Sequence, residues 1–236
     1  MQVSCAAVEV KPHADVHDLA RSAAELILED CLRVSATRAS NYTIGLSGGR
    51  TPRLMFESLA TLPLPWSRVH LFQVDERVAA TGSADRNFTH LVDCLLEHVD
   101  IPDGHVHPMP VESDDLASAC RQYEDELHRT TAGAPLDILQ LGLGDDGHTA
   151  SLAPGEPILE VADRDVWFVA NFNGLPRMSM TYPLIDRAEK IVWLAAGSAK
   201  AEMCRRLLAS DPTIPAGRVA QGNAVLLVDD EAAARL

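Results

Sequence analysis

Residues 141–155, LGLGDDGHTASLAPG, gather two carboxylates, an imidazole and two hydroxyls in one glycine-rich turn directly after the apolar run Leu136–Leu141. A packed interior has no use for Asp145, Asp146 and His148 together, because each would need a partner once buried. A neutral imidazole, with an ordinary pKa of ~6.5, can take a proton at physiological pH. A neighbouring aspartate fixes its tautomer and stabilises the imidazolium that forms. The turn therefore reads as an acid–base centre on His148, with Asp145 or Asp146 as the orienting carboxylate. Spacing alone does not choose between the two.

Two further clusters have chemistry to offer. Ser47-Gly48-Gly49-Arg50-Thr51-Pro52 separates a strand over Tyr42–Leu46 from a helix over Arg53–Leu59. Thr51 suits the N-cap and Pro52 the first helical position. The glycines let main-chain amides approach a ligand, and a helix N-terminus favours an anion. Phosphate fits there, with Arg50 or Arg53 as a further donor; an ordinary tight strand-to-helix turn accounts for the same residues. The second cluster, Asp75-Glu76-Arg77, ends a strand over Val69–Val74. Its arginine can clamp a carboxylate or phosphate, or meet a developing oxyanion. Asp75 or Glu76 is expected to hold it, and Asn87 to cap the next helix.

Two literal motifs fail on context. Gly45-Leu-Ser47-Gly-Gly49 matches the G-x-S-x-G nucleophile elbow. A helix starting right after that serine would put Pro52 beyond its first turn, where proline breaks helices. Gly142-Leu-Gly144-Asp-Asp-Gly147 matches the G-x-G-x-x-G dinucleotide fingerprint. Pro154 and Pro157 interrupt the helix which that reading needs, and Asp145 and Asp146 would repel a diphosphate. The pairs His13/His17 and His105/His107 lack a convincing third ligand, so no metal site is expected.

Positioning these clusters requires strands that end beside one another. Apolar, β-rich runs occur at Ala6–Val10, Tyr42–Leu46, Val69–Val74, Leu136–Leu141, Val166–Ala170, Ile191–Ala195 and Val225–Val228. Helical patterns lie at Val16–Val34, Arg53–Leu59, Phe88–His98, Leu116–Arg129 and Lys200–Leu208. Several strands are apolar throughout rather than alternating, as strands covered on both faces are. The alternation of strand and helix implies an α/β fold with a doubly wound, mostly parallel sheet. In such sheets ligands bind beyond the carboxyl ends of the strands, where all three clusters fall.

The chain has 236 residues and no low-complexity linker or repeat, so a single domain over 1–236 is expected. A net charge of −14 opposes general binding to nucleic acid or to anionic membranes. It leaves room for a small anionic substrate if the site collects its own arginines. Cys5, Cys31, Cys94, Cys120 and Cys204 are odd in number and scattered, which argues for a reducing compartment rather than a disulfide framework. The N-terminus lacks a signal-peptide pattern, and no run of eighteen apolar residues occurs, so a cytoplasmic location is expected.

Taken in order, Leu46–Pro52 (LSGGRTP), Val74–Val78 (VDERV), Asp85–Asn87 and the 141–155 stretch resemble the 6-phosphogluconolactonase family. LPRMSMTYPLID at 175–186 resembles that family's arginine-plus-hydroxyl segment, and AAGSAKAEM at 195–203 its Gly-x-x-Lys turn. The resemblance covers nearly the whole chain. It implies hydrolysis of 6-phosphoglucono-δ-lactone to 6-phosphogluconate in the oxidative pentose phosphate pathway, without a metal or cofactor. It also implies a three-layer fold of the NagB/RpiA/CoA-transferase type, shared with glucosamine-6-phosphate deaminases. By motif, Ser47, Gly48, Gly49, Arg50 and Thr51 would bind the phosphate with Arg177 and Lys200. Arg77 would lie near the sugar or the lactone carbonyl, His148 would be the general base with Asp146 beside it, and Asp75, Asn87 and Gly144 would complete the pocket. The partner implied is a small sugar phosphate; pathway dehydrogenases, and a monomer or weak homo-oligomer, stay open.

Three departures bear on substrate fit. Ala153 stands where an aromatic is usual before Pro-Gly, Arg86 where a serine is common before Asn87, and Ser179 in place of the first of two threonines after Arg177. An isomerase or deaminase on the same scaffold would tend to carry an aromatic at Arg77 and a Phe-Asn-Glu-Pro-type run after the histidine. Here that run is Thr149-Ala-Ser-Leu. A non-catalytic sugar-phosphate sensor would give no reason for His148.

Overall fold

The computed structural model describes residues 8–236. The chain runs β1 (Glu9–His13), α1 (Val16–Thr37), β2 (Tyr42–Leu46), α2 (Arg50–Ala60), β3 (Val69–Gln73), β4 (Asp75–Arg77), α3 (Asn87–Cys94), β5 (Val106–His107) and α4 (Leu116–Thr131). It continues through β6 (Ile138–Gly142), β7 (Val166–Phe172), β8 (Leu175–Met180), α5 (Tyr182–Ile185), β9 (Ile191–Ala195), α6 (Ala201–Leu208), α7 (Pro215–Arg218) and β10 (Ala224–Asp229). Seven strands form one parallel sheet in the order β1-β10-β9-β6-β2-β3-β5. A smaller antiparallel sheet has the order β4-β8-β7.

Successive side chains of a strand point to opposite faces, and here each face has its own core. On β9, Val192 and Leu194 join Leu19, Ala23 and Ile27 of α1 and Met55, Phe56 and Leu59 of α2. Ile191, Trp193 and Ala195 join Ala119, Cys120, Tyr123 and Leu127 of α4 and Cys204 and Leu207 of α6. Helices cover both faces, which gives the three-layer α/β fold and explains why β9 is apolar throughout.

Element boundaries differ from the sequence reading where local chemistry is weak. The first strand is Glu9–His13 rather than Ala6–Val10, of which residues 6 and 7 lie outside the described residues. Helix α2 begins at Arg50, with Gly49 as N-cap at φ +133°, so Thr51 is not the cap and Pro52 sits third in the helix. That position is still within the first turn, where a missing N–H costs no helical bond. Helix α3 ends at Cys94 and a 3₁₀ turn over Leu96–His98 follows. Likewise Lys200 lies in a 3₁₀ turn, Ser198–Lys200, ahead of α6.

The second sheet is the larger correction. Asp75–Arg77 is not the frayed end of β3 but a separate strand. It pairs antiparallel with β8 in the register Asp75↔Ser179, Glu76↔Met178 and Arg77↔Arg177. Strand β8 returns from β7 through Asn173-Gly174, both at positive φ (55° and 88°). Such a two-residue turn matches the twist of a hairpin. Folding β4 away from the main sheet sets Arg77 and Arg177 side by side over the strand ends. Cys31, Cys94, Cys120 and Cys204 are free thiols, and Cys5 lies outside the described residues. No described helix is long and apolar enough to cross a membrane.

Candidate active site

A cleft of about 210 Å³ opens beyond the carboxyl ends of β2, β6 and β9, beside β4 and β8. Ser47, Gly48, Gly49, Arg50, Thr51, Asp75, Arg77, Asn87, Gly144, His148, Arg177 and Lys200 all line it. Asp146 stands behind His148 and completes the predicted set.

The imidazole is seated by its own loop. Asp146 Oδ1 accepts from the His148 main-chain N–H at 3.0 Å and meets Nδ1 at 2.5 Å. Burial alone would raise the Asp146 carboxyl, but the amide and imidazole of His148 hold it below the usual carboxylate range. An ionised acceptor at Nδ1 selects the tautomer with its proton there, so the lone pair of neutral His148 lies on Nε2. Gly144 makes this possible: a Cβ on it would lie 2.0 Å from His148 Nδ1. The loop closes through Gly144 N–H donating to the His148 carbonyl at 2.8 Å, with Gly147 turning at φ +81°. The choice between the two aspartates is thereby made. Asp146 holds the histidine, and Asp145 pairs with Lys200 across the rim.

The turn from β2 into α2 also lines the cleft and offers it unpaired main-chain donors. Helix α2 points its N-terminus into the cleft, and the amides of Gly49, Arg50 and Thr51 have no helical acceptor. Ser47 is buried, and its main-chain N–H donates to Gln140 Oε1 at 3.1 Å. No histidine bonds its hydroxyl, and the helix starts three residues later, so the elbow geometry is absent.

The arginines are held differently from the sequence expectation. Arg77 Nη1 donates to the Asp85 carbonyl at 2.8 Å and to Asn87 Oδ1 at 3.2 Å, not to Asp75 or Glu76. Glu76, fully buried, accepts from the main-chain N–H groups of Arg77, Asn87 and Phe88 at 2.7–2.8 Å. The carboxylate that caps α3 thus comes from β4, and Asn87 is free to face the site. Its Nδ2 donates to the Asp75 carbonyl at 3.1 Å. A Cβ at Gly48 would lie 2.1 Å from Asn87 Oδ1, so the 47–51 turn and Asn87 are fitted to one another. Arg86, the unusual residue before Asn87, is buried with Nε 3.2 Å from Glu76 Oε2 and reinforces that cap.

Asp75 is buried, which pushes its carboxyl above the ordinary range against the opposing Ser151 hydroxyl and Arg177. Ser151 Oγ donates to Asp75 Oδ2 at 2.8 Å, and the Ser151 main-chain N–H donates to Ser179 Oγ at 3.1 Å. Arg177 Nη1 lies 4.0 Å from Asp75 Oδ2. Burial also draws the Arg177 guanidinium below its usual value, with Asp75 opposing. Sequence reasoning flagged Ser179 but missed Ser151, Gln140 and Phe172, which support the residues lining the cleft. Ser151 lies inside the motif that carries His148, and Asn173-Gly174 flags the hairpin that delivers Phe172 and Arg177.

A model of the family described as glucosamine-6-phosphate isomerases/6-phosphogluconolactonase matches residues 14–228. The chain belongs to that family. It is 40% identical over 219 residues to a 6-phosphogluconolactonase of Synechocystis, covering 87% of this chain and 91% of the relative. The crystal structure of a 6-phosphogluconolactonase from Thermotoga maritima superposes with a TM-score of 0.83 at 26% identity, covering 94% of this chain and all of that one. A monomeric glucosamine-6-phosphate deaminase shares the fold, with a TM-score of 0.82 at 21% identity over 97% of this chain. Both branches of the family therefore use this architecture, and the residues in the cleft have to distinguish them.

Proposed function

We propose that this chain hydrolyses 6-phosphoglucono-δ-lactone to 6-phosphogluconate. The observation that carries this reading is a single cleft lined by an Asp146-oriented imidazole, a helix N-terminus, Arg177 and Lys200. The 6-phosphate binds the amides of Gly49, Arg50 and Thr51, with Arg177 and Lys200 neutralising its charge. Lys200 exchanges part of its pairing with Asp145 for the phosphate. This remote anchor fixes C1 of the lactone beside His148.

Neutral His148 takes a proton from water through Nε2 as the water oxygen bonds to C1. The carbonyl oxygen gains charge and meets Arg77, which Asn87 and the Asp85 carbonyl hold in place. The tetrahedral centre then collapses, the bond from C1 to the ring oxygen breaks, and imidazolium His148 returns its proton to that oxygen. Asp146 remains ionised throughout and stabilises the imidazolium. The products are a free C5 hydroxyl and a carboxylic acid, which releases its remaining proton to solvent to become the carboxylate. A δ-lactone is an activated ester, so one base and one cation suffice. The setting proposed is cytoplasmic, with the lactone supplied by a sugar-phosphate dehydrogenase.

The alternative is an isomerase or deaminase reaction on the same scaffold. Arg77 at the cleft and Thr149-Ala-Ser-Leu after the histidine favour the lactonase. The deciding assay measures acid release from freshly generated 6-phosphoglucono-δ-lactone, corrected for spontaneous hydrolysis, and ammonia release from glucosamine 6-phosphate. Enzyme-dependent acid without ammonia is expected; ammonia without enhanced lactone hydrolysis would replace this reading with the deaminase.

A further inference from the structure

The mechanism needs two side chains on different elements to keep one mutual geometry: His148 on the loop after β6 and Arg177 on β8. Phe172, the last residue of β7, touches both from behind. Its ring meets the His148 imidazole edge-on, with centroids 5.0 Å apart and planes at 79°. The Arg177 guanidinium carbon lies 4.5 Å from the same ring's centroid, and Arg177 Nε donates to the Phe172 carbonyl at 3.2 Å. Phe172 is 8% exposed and does not line the cleft.

These contacts supply what the hydrogen bonds leave open. The bond from Nδ1 to Asp146 fixes one point of the imidazole but leaves the ring free to tilt about that bond. An aromatic wall against the ring removes the tilt. Arg177 is buried with its nearest carboxylate 4.0 Å away, too far for a hydrogen bond. A desolvated guanidinium over an aromatic face gains more than an exposed one. The Phe172 backbone sits between the register shift after Val169 and the tight Asn173-Gly174 turn, and its ring is buried.

We propose that Phe172 is a positioning residue that aligns the base and the phosphate-binding arginine through one aromatic ring. The proposal rests on the lactonase reading of the cleft. Phe172→Leu and Phe172→Met remove the ring while keeping apolar volume. Each is measured on 6-phosphoglucono-δ-lactone in the native chain and in His148→Asn and Arg177→Ala backgrounds, with thermal denaturation alongside. In the native background kcat falls about tenfold and KM rises about tenfold. The kcat loss disappears in His148→Asn and the KM rise disappears in Arg177→Ala, because the group being aligned is gone. The same factors in all three backgrounds, no kinetic change, or loss of the folded state in both substitutions would overturn the proposal and leave Phe172 a packing residue. If His148→Asn alone turns over like the native chain, the lactonase mechanism fails, whatever Phe172 does.

Discussion

The chain places histidines towards two opposite ends of its parallel sheet, and the two groups spend their ring nitrogens differently. At the carboxyl end, His148 spends one ring nitrogen on Asp146 and presents its ring to a cleft lined by Arg77, Arg177 and Lys200. Towards the amino end, His70 of β3 and His107 of β5 spend all four ring nitrogens on the protein. Asn41 Nδ2 meets His70 Nε2 at 2.9 Å, His70 Nδ1 meets His107 Nε2 at 2.9 Å, and His107 Nδ1 meets Glu126 Oε1 at 3.1 Å. His105 stacks on His70 with centroids 4.0 Å apart. Each link needs one donor and one acceptor, so neutral imidazoles satisfy the whole row. Burial, reinforced by the positive charge His105 would carry, draws both His70 and His107 down to about 4. An imidazole acts as a base when a nitrogen is left over in a cleft, and as a structural linker when none is.

The largest effect that would test this contrast is at Gly144. Gly144→Ala puts a methyl where the His148 ring sits and is expected to lower kcat by about 10²–10⁴, the range for losing a general base. Steady-state kinetics with intact circular dichroism check it; a near-native kcat would show that the seating of His148 is not what the cleft depends on. Next, Arg177→Ala is expected to raise KM for the phosphorylated lactone by about 10- to 100-fold, the worth of a charged hydrogen bond. Lys200→Ala should raise it less, because Asp145 already shares that ammonium. Unphosphorylated glucono-δ-lactone should show neither change.

Acid separates the two ends by stability rather than rate. The folded pKa values of His70 and His107 lie below the ordinary ~6.5, so their contribution is complete above that value and is lost as pH falls towards about 4. Thermal midpoints should therefore decline between roughly pH 6.5 and 4. His107→Gln should flatten that decline and His148→Asn should not; equal slopes in all three chains would break the contrast. The smallest effect is at Asp75. Its carboxyl is raised by burial, so its favourable contribution is present below the ordinary carboxylate pKa and lost as pH rises through the folded value. Asp75→Asn should leave the pH 7 thermal midpoint unchanged or slightly higher while lowering kcat/KM, a cost accepted at a functional site.

The layers and the three site loops were legible because they rest on local signals: buried strands, glycines at turns, and polar residues where strands stop. What stayed hidden depends on pairing between distant segments. Strand β8 carries Pro176, Arg177 and Ser179, which break any apolar pattern, and it exists because β4 and β7 flank it. The cap on α3 comes from Glu76, eleven residues before Asn87, so no local rule finds it. The start of α2 moved to Arg50 because Gly49 adopts a conformation that only glycine reaches without strain. Choosing Asp146 over Asp145 needed Lys200, fifty-five residues along the chain from Asp145, to claim the other carboxylate.

The central claim is that His148, aimed by Asp146, activates water against a lactone anchored by its phosphate. The most direct measurement is kcat of His148→Asn on freshly generated 6-phosphoglucono-δ-lactone at saturation, corrected for spontaneous hydrolysis, with the thermal midpoint recorded in parallel. The account predicts a loss of about 10²–10⁴ in kcat, little change in KM and an unchanged thermal midpoint. Native turnover from that variant would contradict it.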